Sequence, residues 1–412
     1  MVRVVIPSRN AVQLLLRCLE SLACVDWPRE PLEVVVVDNA STDGTAKAVA
    51  DRFGAKVIRA PRNLGFAGGC NLGLEDLDGV DFVALLNNDA LVEPGWLRPL
   101  VAALDTEKTI GAAAPKILFA DRFVEVTIES EGGVRLEGVR PRAQFVSGFC
   151  DHGLYRMLEP EALIRLPAGR EAKLRLSAPR PQRVVLQKQP TDVGPEPSWV
   201  TAPTDGEPVD VINSAGCVHV RGGYGADRGY LEVDRGQYDQ PAEVFAWSGA
   251  SVLLSREYLE DVGGFDARFF VYYEDFDLSW RGRALGWRYL YAPDAVVRHV
   301  HAATSGEGSE LFQHYVERNR LLVHAKNAPA RYAARVLGSS LRETGGYIVN
   351  PAPIVVRRRL RSLAGFAAQL PHALRERRRL RRRRRVPEDE VNAWLGSGRA
   401  LPIGAASVVR RA

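Results

Sequence analysis

Short apolar runs alternate with amphipathic stretches over residues 1–121. Val2–Ile6, Glu33–Val37, Lys56–Arg59 and Phe82–Leu86 have the length and β-branched composition of buried strands. Between the first two, apolar residues recur every three or four positions, which is typical of a helix that covers a sheet. Strands that alternate with helices predict βαβ units and a mainly parallel sheet.

The pattern changes after residue 121. Residues 122–208 show short alternating segments split by proline and glycine, which predict a β-rich insertion that ends in a loose linker near 189–208. The α/β pattern returns in 209–327, where Phe245–Leu254 reads as one buried strand. Residues 328–412 predict helices and an arginine-rich tail.

Polar residues follow the predicted strands of the first half at the points where the strands end. On parallel sheets, ligands bind at the carboxyl ends of the strands. Here these ends carry Pro7, Ser8, Arg9, Asp38, Asn39, Asn63, Asn87, Asn88 and Asp89. The sequence therefore predicts one binding site along this edge of the sheet.

A glycine-rich segment, 63–69, opens a helix predicted at 65–77. Its glycines would allow the backbone to approach a diphosphate, although the segment has neither a G-x-G-x-x-G spacing nor a Walker lysine. A tight turn explains the same residues. We expect Asn63, Gly65 and Asn71 to contribute to the binding of a ligand that contains a diphosphate.

The stretch Phe269–Arg281, FFVYYEDFDLSWR, crowds carboxylates among aromatic residues. Aromatic surroundings remove water from a carboxylate and can tune its pKa for proton abstraction. Glu274 and Asp275 are therefore candidate catalytic residues. The acidic first turn of an amphipathic helix is an alternative explanation of the same pattern.

Asp89 ends a predicted strand after two asparagines and is a candidate ligand for a hard divalent ion. Mg²⁺ or Mn²⁺ is commonly held by one or two carboxylates and substrate phosphates. His299 and His301 stand two residues apart on a predicted strand and face the same side. One of them could complete the metal site; a structural histidine pair is the alternative.

Composition narrows the class of protein. The chain has 412 residues, of which 46% are hydrophobic and 25% charged, as in ordinary globular proteins. It contains no apolar run of the roughly 18 residues that a membrane span needs. Its five cysteines are scattered without a CxxC spacing, which argues for a reducing compartment and against a zinc site or a disulfide framework.

The net charge of +5 hides an asymmetry. Residues 331–385 hold 16 Arg and 2 Glu, a balance of +14, so the remainder of the chain carries −9. Binding to nucleic acid is disfavoured because the arginine run lacks interleaved aromatic residues and a recognisable module. Apolar residues among these arginines favour an interfacial helix on an anionic membrane: Leu360, Leu363, Phe366, Ala367 and Leu370. We expect a cytoplasmic protein, peripherally associated with the inner face of the plasma membrane.

Several motifs stand in a characteristic order: DNASTDGT, RNLGFAGGCN, NND ahead of EPGWL, GGFDARFFVYYEDFDLSWR, HAATSGEGS and RNRLL. They resemble glycosyltransferase family two, over residues 1–120 and 209–327, and its bacterial rhamnosyltransferase-like members most of all. The resemblance implies an α/β fold of the GT-A type, a nucleoside diphosphate sugar donor, a divalent metal (Mn²⁺ or Mg²⁺) and inversion at the anomeric carbon.

By position, Asp38 resembles the carboxylate that recognises the base of the donor. Asp89 resembles the last residue of the DxD motif of this family, and Asp275 resembles the catalytic base, with Glu274 beside it. Asn87 stands where that motif often has its first acid, so this chain departs from the full motif.

Residues of the second half complete the expected site. Arg318, and Arg320 as a further candidate, could grasp the diphosphate of a dTDP- or UDP-sugar; a solvated helix face explains the two arginines equally well. We place Trp247, Gly249 and Tyr273 on the acceptor side, where Trp247 could stack on a sugar ring.

The expected function is transfer of a sugar, rhamnose among the candidates, to a glycan or polyprenyl-linked acceptor in cell-envelope polysaccharide synthesis. A nucleotidyltransferase would also use acidic metal ligands, but no basic signature loop precedes the first helix. The incomplete DxD motif also suggests a catalytically weak scaffold that binds sugar nucleotides. Hydrolysis of a donor by the purified protein with Mn²⁺ separates an enzyme from such a scaffold.

Overall fold

The computed structural model describes residues 1–27, 32–53, 55–151, 155–301, 309–349, 353–396 and 398. Most of the HAATSGEGS motif (302–308) and the end of the predicted tail (401–412) lie outside the described residues. Contacts within the chain define two units. Unit 1 comprises residues 1–120, 213–229 and 236–400, and unit 2 contains residues 121–212 and 230–235.

The strands, in chain order, are β1 (Val2–Ser8), β2 (Leu32–Asp38), β3 (Lys56–Arg59), β4 (Phe82–Leu86), β5 (Ala90–Val92), β6 (Ile110–Phe119), β7 (Phe123–Glu129), β8 (Arg135–Arg140), β9 (Gln144–Asp151), β10 (Arg156–Pro167), β11 (Ala172–Ser177), β12 (Gln182–Leu186), β13 (Gln189–Val193), β14 (Ser198–Ala202), β15 (Ile212–Ser214), β16 (Cys217–Val220), β17 (Tyr224–Asp227), β18 (Ala242–Glu243), β19 (Ser251–Ser255) and β20 (Arg288–His299). The helices are α1 (Val12–Ala23), α2 (Thr45–Phe53), α3 (Gly65–Gly73), α4 (Leu97–Leu104), α5 (Arg256–Val262), α6 (Glu274–Ala284), α7 (Glu310–Asn327), α8 (Ala330–Val349), α9 (Pro353–Arg383) and α10 (Glu388–Asn392), with a 3₁₀ turn at Ala267–Phe269.

The core of unit 1 is a mixed, mainly parallel sheet in which the strands follow the order β18-β20-β6-β19-β4-β1-β2-β3. β1 runs parallel to both β2 and β4, and β2 runs parallel to β3, which confirms the predicted βαβ arrangement. β19 is antiparallel to its neighbours β4 and β6. Val4, Val36 and Leu86 are fully buried between the helices, as expected for strands covered on both faces.

Two apolar runs fold differently from the sequence prediction. In Phe245–Leu254 the strand begins only at Ser251, so the first half is irregular backbone whose N–H groups are not all used by the sheet. Residues 287–300, predicted as two strands, form the single strand β20, with an irregular register between Ala292 and Val296. The first difference matters at the site described below.

Unit 2 contains an antiparallel sheet in the order β13-β12-β7-β10-β8-β11-β14, with β9 beside β10. Val126, Ile164 and Leu174 point to one face and are fully buried there. Residues 189–202, predicted as part of a loose linker, form β13 and β14 instead. Pro190 is tolerated because β13 lies at the edge of the sheet, where a missing N–H donor leaves no partner unsatisfied.

Helices α8 and α9 continue from α7 and belong to unit 1. Phe366, Ala373 and Leu380 of α9 are buried, and Phe366 and Ala373 join an apolar cluster with Leu321 and Leu322 of α7. Leu363 and Leu370 pack against the same cluster. Three of the five apolar residues that the sequence assigned to a membrane, Leu363, Phe366 and Leu370, therefore lie against the protein, which corrects their part of the prediction. Leu360 and Ala367 are exposed.

The opposite face of α9 is exposed and basic. Its exposed residues include Ile354, Arg357, Leu360, Arg361, Leu374, Arg375, Arg378 and Arg382. Ile354 keeps 73% of its surface in solvent, which is unusual for a large apolar side chain. None of the helices in the described part of the chain combines the length and apolarity that a bilayer span requires.

Two buried histidines connect β16 to α7. The Gly396 N–H donates to His219 Nδ1 (3.1 Å), so His219 Nε2 carries the proton and donates to His324 Nε2 at 3.0 Å. His324 Nδ1–H in turn donates to the Arg320 carbonyl (2.6 Å). Burial lowers the pKa of His219 to about 4 and that of His324 to about 3, so both imidazoles are neutral near pH 7.

Candidate active site

The carboxyl ends of β1, β2 and β4 bring buried polar side chains together. Ser8 and Asp38 are paired in register, and Asn88 Nδ2 donates to Ser8 Oγ at 2.9 Å. One oxygen of Asp38 accepts from the Ser41 N–H (3.0 Å), which fixes the carboxylate at the strand tip. Three of the predicted donor-binding residues thus lie on neighbouring strands at one edge of the sheet.

Pro7 and Arg9, two other predicted donor contacts at the end of β1, differ in their exposure to solvent. Pro7 is buried, and its ring lies against Gly69 of α3, where an added Cβ would come within 3.2 Å of Pro7 Cβ. Pro7 therefore supports the packing of α3 on the sheet. Arg9 directly follows Ser8 and is exposed.

The glycine loop is held by asparagine side chains bonded to the main chain. Asn39 Oδ1 accepts from Leu64 N and its Nδ2 donates to Gly65 O, both at 2.8 Å, while Asn63 Oδ1 accepts from Gly65 N at 3.0 Å. Gly65 has φ +73°, and an added Cβ would lie 2.3 Å from Phe270 O. The loop therefore requires glycine in order to contact the acidic motif.

Asn71 is a second support of this kind. Its side chain donates to Phe265 O (2.9 Å) and accepts from Phe265 N (2.8 Å), which joins α3 to the GGFD segment. For Asn39 and Asn71, predicted as donor ligands, both amide atoms are used by the main chain. The structure assigns them a positioning role, which corrects the prediction.

The Asn87–Asp89 turn brings a carboxylate and an imidazole together. Asp89 Oδ1 lies 3.0 Å from His299 Nε2, and His299 Nδ1–H donates to Asn213 Oδ1 at 2.8 Å. Burial opposes ionisation of Asp89, but the charge and hydrogen bond of His299 outweigh it and lower the Asp89 pKa. His301 lies beyond the end of β20, with Nδ1 3.4 Å from Asn213 Nδ2.

The Asp89–His299 pair fits a divalent ion. His299 Nε2 lies 3.0 Å from Asp89 Oδ1 and 3.3 Å from Asn87 Nδ2. When the imidazole is neutral with its proton on Nδ1, Nε2 and the carboxylate oxygen are both acceptors, and a cation can lie between them. Neighbouring ligands of an octahedral ion with bonds of about 2.1 Å lie about 3 Å apart, as these two atoms do. Among the described residues, no three His, Cys, Asp or Glu side chains cluster around one metal position. Phosphate oxygens and water would therefore supply the remaining ligands.

Asp275 lies at the first turn of α6 and remains partly exposed. Its Oδ2 accepts from the Gly249 N–H (2.8 Å) and its Oδ1 from the Phe276 N–H (2.7 Å). Burial raises the pKa of Asp275 to about 6, against the lowering effect of these two N–H groups, and the nearby Asp227 carboxylate adds to the rise. A carboxylate that ionises near neutral pH suits a general base.

One irregular segment joins the two acidic motifs. Gly249 donates to Asp275, and the carbonyl of the next residue, Ala250, accepts from the Asn87 N–H at 2.9 Å. The Phe66 ring lies 3.1 Å from the position of a Cβ at Gly249, so a side chain there would meet the ring. Gly249, predicted on the acceptor side, acts through its backbone and sets the distance between Asp275 and the Asn87–Asp89 turn.

The other two carboxylates of the EDFD motif have different environments. Burial and the neighbouring Asp275 raise the pKa of Glu274 well above its usual range, and Glu274 Oε2 has no hydrogen-bond partner in the described structure. Burial therefore disfavours the charged form of Glu274, which Asp275 beside it opposes as well. Asp277 is fully buried and accepts from Arg281, Lys326 and Asn327, each at 2.9 Å. The motif does open a helix, as its alternative reading predicted.

The loop before Asp275 is strained and is held by α7. Phe270, Tyr272 and Tyr273 have φ values of +67°, +68° and +70°, in the left-handed region that non-glycine residues rarely adopt. Asn319 Nδ2, fully buried, donates to the carbonyls of Phe269 (2.9 Å), Val271 (2.9 Å) and Tyr272 (2.7 Å).

The two arginines that flank Asn319 have structural partners. Arg318 Nη2 donates to Arg268 O and Phe269 O, both at 2.8 Å. Arg320 is fully buried, bonded to Gly222 O (2.8 Å) and paired with Glu317 (2.9 Å). The prediction that Arg318 grasps the donor diphosphate is wrong, because its guanidinium holds the loop that precedes Asp275.

The aromatic residues predicted on the acceptor side are engaged as well. Trp247 is fully buried with its ring edge-on to Phe265, so it presents no face to a sugar. The Tyr273 hydroxyl accepts from the Gly225 N–H at 3.1 Å, which connects β17 to the acidic motif. Trp247 packs the core and Tyr273 positions a hairpin, which corrects both expectations.

Sequence reasoning missed Asn213 and Asn319. Asn213 orients His299, and Asn319 holds the strained loop, yet each bonds to residues at least 47 positions away. A weak signal for Asn319 was its place inside RNRLL, where only the arginines were considered. Neither asparagine has a spacing that indicates its partner.

Two family models match the chain. The model described as Glycosyl transferase family 2 matches residues 3–163, and the model described as Glycosyltransferase like family 2 matches residues 226–320. The chain therefore belongs to glycosyltransferase family 2, with an α/β fold of the GT-A type, as the motifs indicated.

Curated relatives refine this assignment. The N-acetylglucosaminyl-diphospho-decaprenol L-rhamnosyltransferase of Mycobacterium tuberculosis is 25% identical over 299 residues, which cover 69% of this chain and 72% of that protein. Poly(ribitol-phosphate) beta-N-acetylglucosaminyltransferase TarS of Staphylococcus aureus is 29% identical over 139 residues, or 30% of this chain and 24% of TarS. The first of these relatives is thus similar to this chain over more than two thirds of both sequences.

Among solved structures, GalNAc-T7 with UDP, GalNAc and Mn²⁺ aligns with a TM-score of 0.47 and 16% identity. The alignment covers 79% of this chain and 48% of GalNAc-T7, so this chain spans about half the length of that structure.

Proposed function

We propose that the protein is an inverting, metal-dependent glycosyltransferase that moves a sugar, rhamnose as the first candidate, from a dTDP- or UDP-sugar to a lipid-linked glycan acceptor. The observation that carries this proposal is the segment Gly249–Ala250, which binds Asp275 on one side and the Asn87–Asp89 turn on the other. A base and a candidate metal ligand are thereby held at one site. Cell-envelope polysaccharide synthesis is the corresponding process.

The donor nucleotide would bind at the sheet edge. Asp38 would accept a hydrogen bond from the imide N–H of a thymine or uracil base, and the exposed Arg9 would face the diphosphate. The glycine loop, held by Asn39, would pass close to the phosphates through its backbone. Burial of Ser8, Asp38 and Asn88 supports a fixed geometry for this contact.

Asp89 and His299 would hold the divalent ion, and Asn213 would orient His299. When bound, such an ion offsets the negative charge of the diphosphate leaving group. His301 lies next to this pair, its ring edge-on to that of His299 at 5.6 Å between centroids. We assign no ligand role to His301.

Asp275 would take the proton from an acceptor hydroxyl. As the hydroxyl oxygen bonds to the anomeric carbon, the bond from that carbon to the diphosphate oxygen breaks, and the leaving group carries away the electron pair. A single displacement of this kind inverts the anomeric configuration. The proton ends on Asp275, whose pKa of about 6 allows its later return to water.

The lipid-linked acceptor would be met at an anionic membrane. The exposed face of α9 supports this partner, because Arg357, Arg361 and Arg375 share it with the apolar side chains of Ile354 and Leu360. Each arginine near acidic lipid contributes roughly 1 kcal/mol of attraction. The protein would then act at the cytoplasmic face of the plasma membrane, with no nucleic-acid partner.

The activity is tested with purified protein and Mn²⁺. Nucleotide sugars are first screened by thermal shift, because a ligand of the folded state raises stability. Release of nucleoside diphosphate from the stabilising donor is then measured with and without N-acetylglucosaminyl diphosphate on a short prenol. A protein that binds nucleotide sugars but releases no diphosphate under either condition would be a binding scaffold instead.

The membrane contact has its own test. Full-length protein with Arg357, Arg361 and Arg375 changed to Glu should no longer sediment with phosphatidylglycerol vesicles. A control with the same change in net charge is made at three arginines on other helices, Arg17, Arg98 and Arg256, and should sediment like wild type. Equal sedimentation of both variants would exclude this face, and tighter binding of wild type to duplex DNA would exclude the membrane as partner.

A further inference from the structure

Asp227, at the end of β17, is a carboxylate in unit 1 that the steps above do not use. We propose that Asp227 is a second acid of the acceptor side, which accepts a hydrogen bond from one hydroxyl of the acceptor sugar while Asp275 deprotonates another. The inference rests on the proposed glycosyltransferase function and extends it to a residue that positions the acceptor.

The hairpin β16–β17 fixes Asp227 relative to the acidic motif. The Gly225 N–H donates to the Tyr273 hydroxyl (3.1 Å), and an added Cβ at Gly225 would lie 3.0 Å from the Phe276 ring. Gly225 and Asp227 are two residues apart on one strand, so they face the same side. Asp227 therefore lies on the side of β17 that faces the beginning of α6.

A second connection runs through β16. Cys217 is opposite Asp227 in the hairpin register, and its N–H donates to Ala246 O at 2.8 Å. Ala246 belongs to the irregular segment that supplies the Gly249 N–H to Asp275. Asp227 is thus connected through Cys217 to the same backbone segment that binds Asp275 through Gly249.

The Asp227 carboxylate can accept a further hydrogen bond from a ligand in addition to those from its protein partners. Cys217 Sγ, a weak donor, lies 3.4 Å from Oδ1, while the Ser214 hydroxyl nearby donates to the Gly216 carbonyl at 3.3 Å. No lysine or arginine of the described residues forms an ion pair with it. The side chain is enclosed by protein but keeps part of its surface exposed, as Asp275 does. A carboxylate offers about four acceptor positions, so it can take a ligand hydroxyl as well.

Charge links the two acids. Burial raises the pKa of Asp227, while Ser214, Cys217, His301 and His299 oppose the rise. Asp227 in turn adds to the rise in the pKa of Asp275 that burial causes. The titratable groups that interact electrostatically with the pair include Glu274, Cys70, Cys217 and the two histidines. Removal of the Asp227 charge should lower the Asp275 pKa.

Sugar acceptors carry several hydroxyl groups on one ring. A carboxylate that accepts from one hydroxyl, beside a base that removes the proton of another, orients the ring with both contacts. When the carboxylate is ionised, this hydrogen bond is charge-assisted and stronger than one between neutral groups. Asp227 would thus select the hydroxyl that becomes the nucleophile.

The experiment compares Asp227→Asn, Asp227→Glu and wild type with a short-chain N-acetylglucosaminyl diphosphate prenol as acceptor. Asp227→Asn should raise the acceptor KM at least tenfold, leave donor hydrolysis within twofold and move the acidic limb of the kcat profile to lower pH. Asp227→Glu keeps the charge but changes the reach, so it should raise KM and leave the acidic limb in place. Asp78→Asn, at an exposed acid of unit 1, is the matched control.

Each result decides one point. An unchanged acceptor KM in Asp227→Asn, or a loss of donor hydrolysis with it, would overturn the assignment, the second because Asp227 would then serve the donor or the fold. Thermal unfolding of the variants identifies a loss of the fold. Wild-type protein that hydrolyses no donor would refute the proposed function itself, and this result is separate from any difference between variants.

Discussion

Replacement of Asn319 by alanine tests how the strained loop before Asp275 is held. Three carbonyls, those of Phe269, Val271 and Tyr272, accept from the buried Asn319 amide. The substitution removes this donor group without adding charge or bulk. The loop is then free to leave its left-handed conformation, and the position of Asp275 changes with it.

The magnitude follows from the lost contacts. A net hydrogen bond contributes about 1 kcal/mol, and a buried group left without a partner costs about 1–3 kcal/mol. The carbonyls of Val271 and Tyr272 lose their donor, whereas that of Phe269 keeps Arg318 Nη2. Relaxation of three left-handed residues recovers about 1 kcal/mol each. We expect Asn319→Ala to lower the free energy of unfolding by about 2–4 kcal/mol if the loop stays in place, and by less if it relaxes.

The two outcomes are separated by measuring stability and activity together. Urea unfolding gives the free energy, and diphosphate release at saturating donor gives turnover. A relaxed loop should show little loss of stability but a large loss of transfer, whereas a retained loop should show the reverse. Leu311→Ala, at an exposed position of the same helix, is the control. Surface substitutions usually change the free energy of unfolding by about 0.5 kcal/mol or less. A decrease smaller than this, together with more than half the wild-type turnover, would refute this reasoning.

The remaining predictions concern the base, the metal, the helical layer and the buried histidines. Asp275→Asn should reduce turnover by roughly 10²- to 10⁴-fold with donor affinity nearly unchanged in calorimetry, and wild-type turnover should rise as pH increases through about 6 because the base must be ionised. Asp89→Ala should abolish the dependence of nucleotide affinity on Mn²⁺. If the wild-type protein binds nucleotide equally well with and without Mn²⁺, Asp89 is not a metal ligand. A chain that ends after Val349 should aggregate, since it lacks the residues of α9 that cover the core, and a soluble product with native circular dichroism would contradict that packing. Because burial lowers the folded-state pKa of His219 to about 4, from about 6.5 in the unfolded chain, stability should fall as pH drops between these values; His219→Asn should lose less stability over that interval.

The part of the site that the sequence predicted is the part that depends on local pattern. Valine-rich runs identified the strands, and the polar residues that follow them identified the sheet edge with Ser8, Asp38 and Asp89. The acidic motif indicated Asp275 because its aromatic neighbours signal burial. Each inference needed only residues close together in the chain.

Long-range hydrogen bonds account for the errors. Arg318 and Asn71 have the composition expected of donor ligands, but their polar atoms bind main-chain groups about 50 and 194 residues away. Sequence composition cannot distinguish an amide that binds a ligand from one that binds a distant carbonyl. Trp247 shows the same limit, since a buried indole and a sugar platform have identical local sequence.

The loop before Asp275 leaves the ribosome earlier than the helices that hold it. Phe270–Tyr273 are synthesised some fifty residues before Asn319, and α9 follows later still. A nascent or prematurely terminated chain that ends before α7 therefore has its base but lacks the amide that holds the loop. We expect such products to release no diphosphate, so that partial translation does not consume nucleotide sugar.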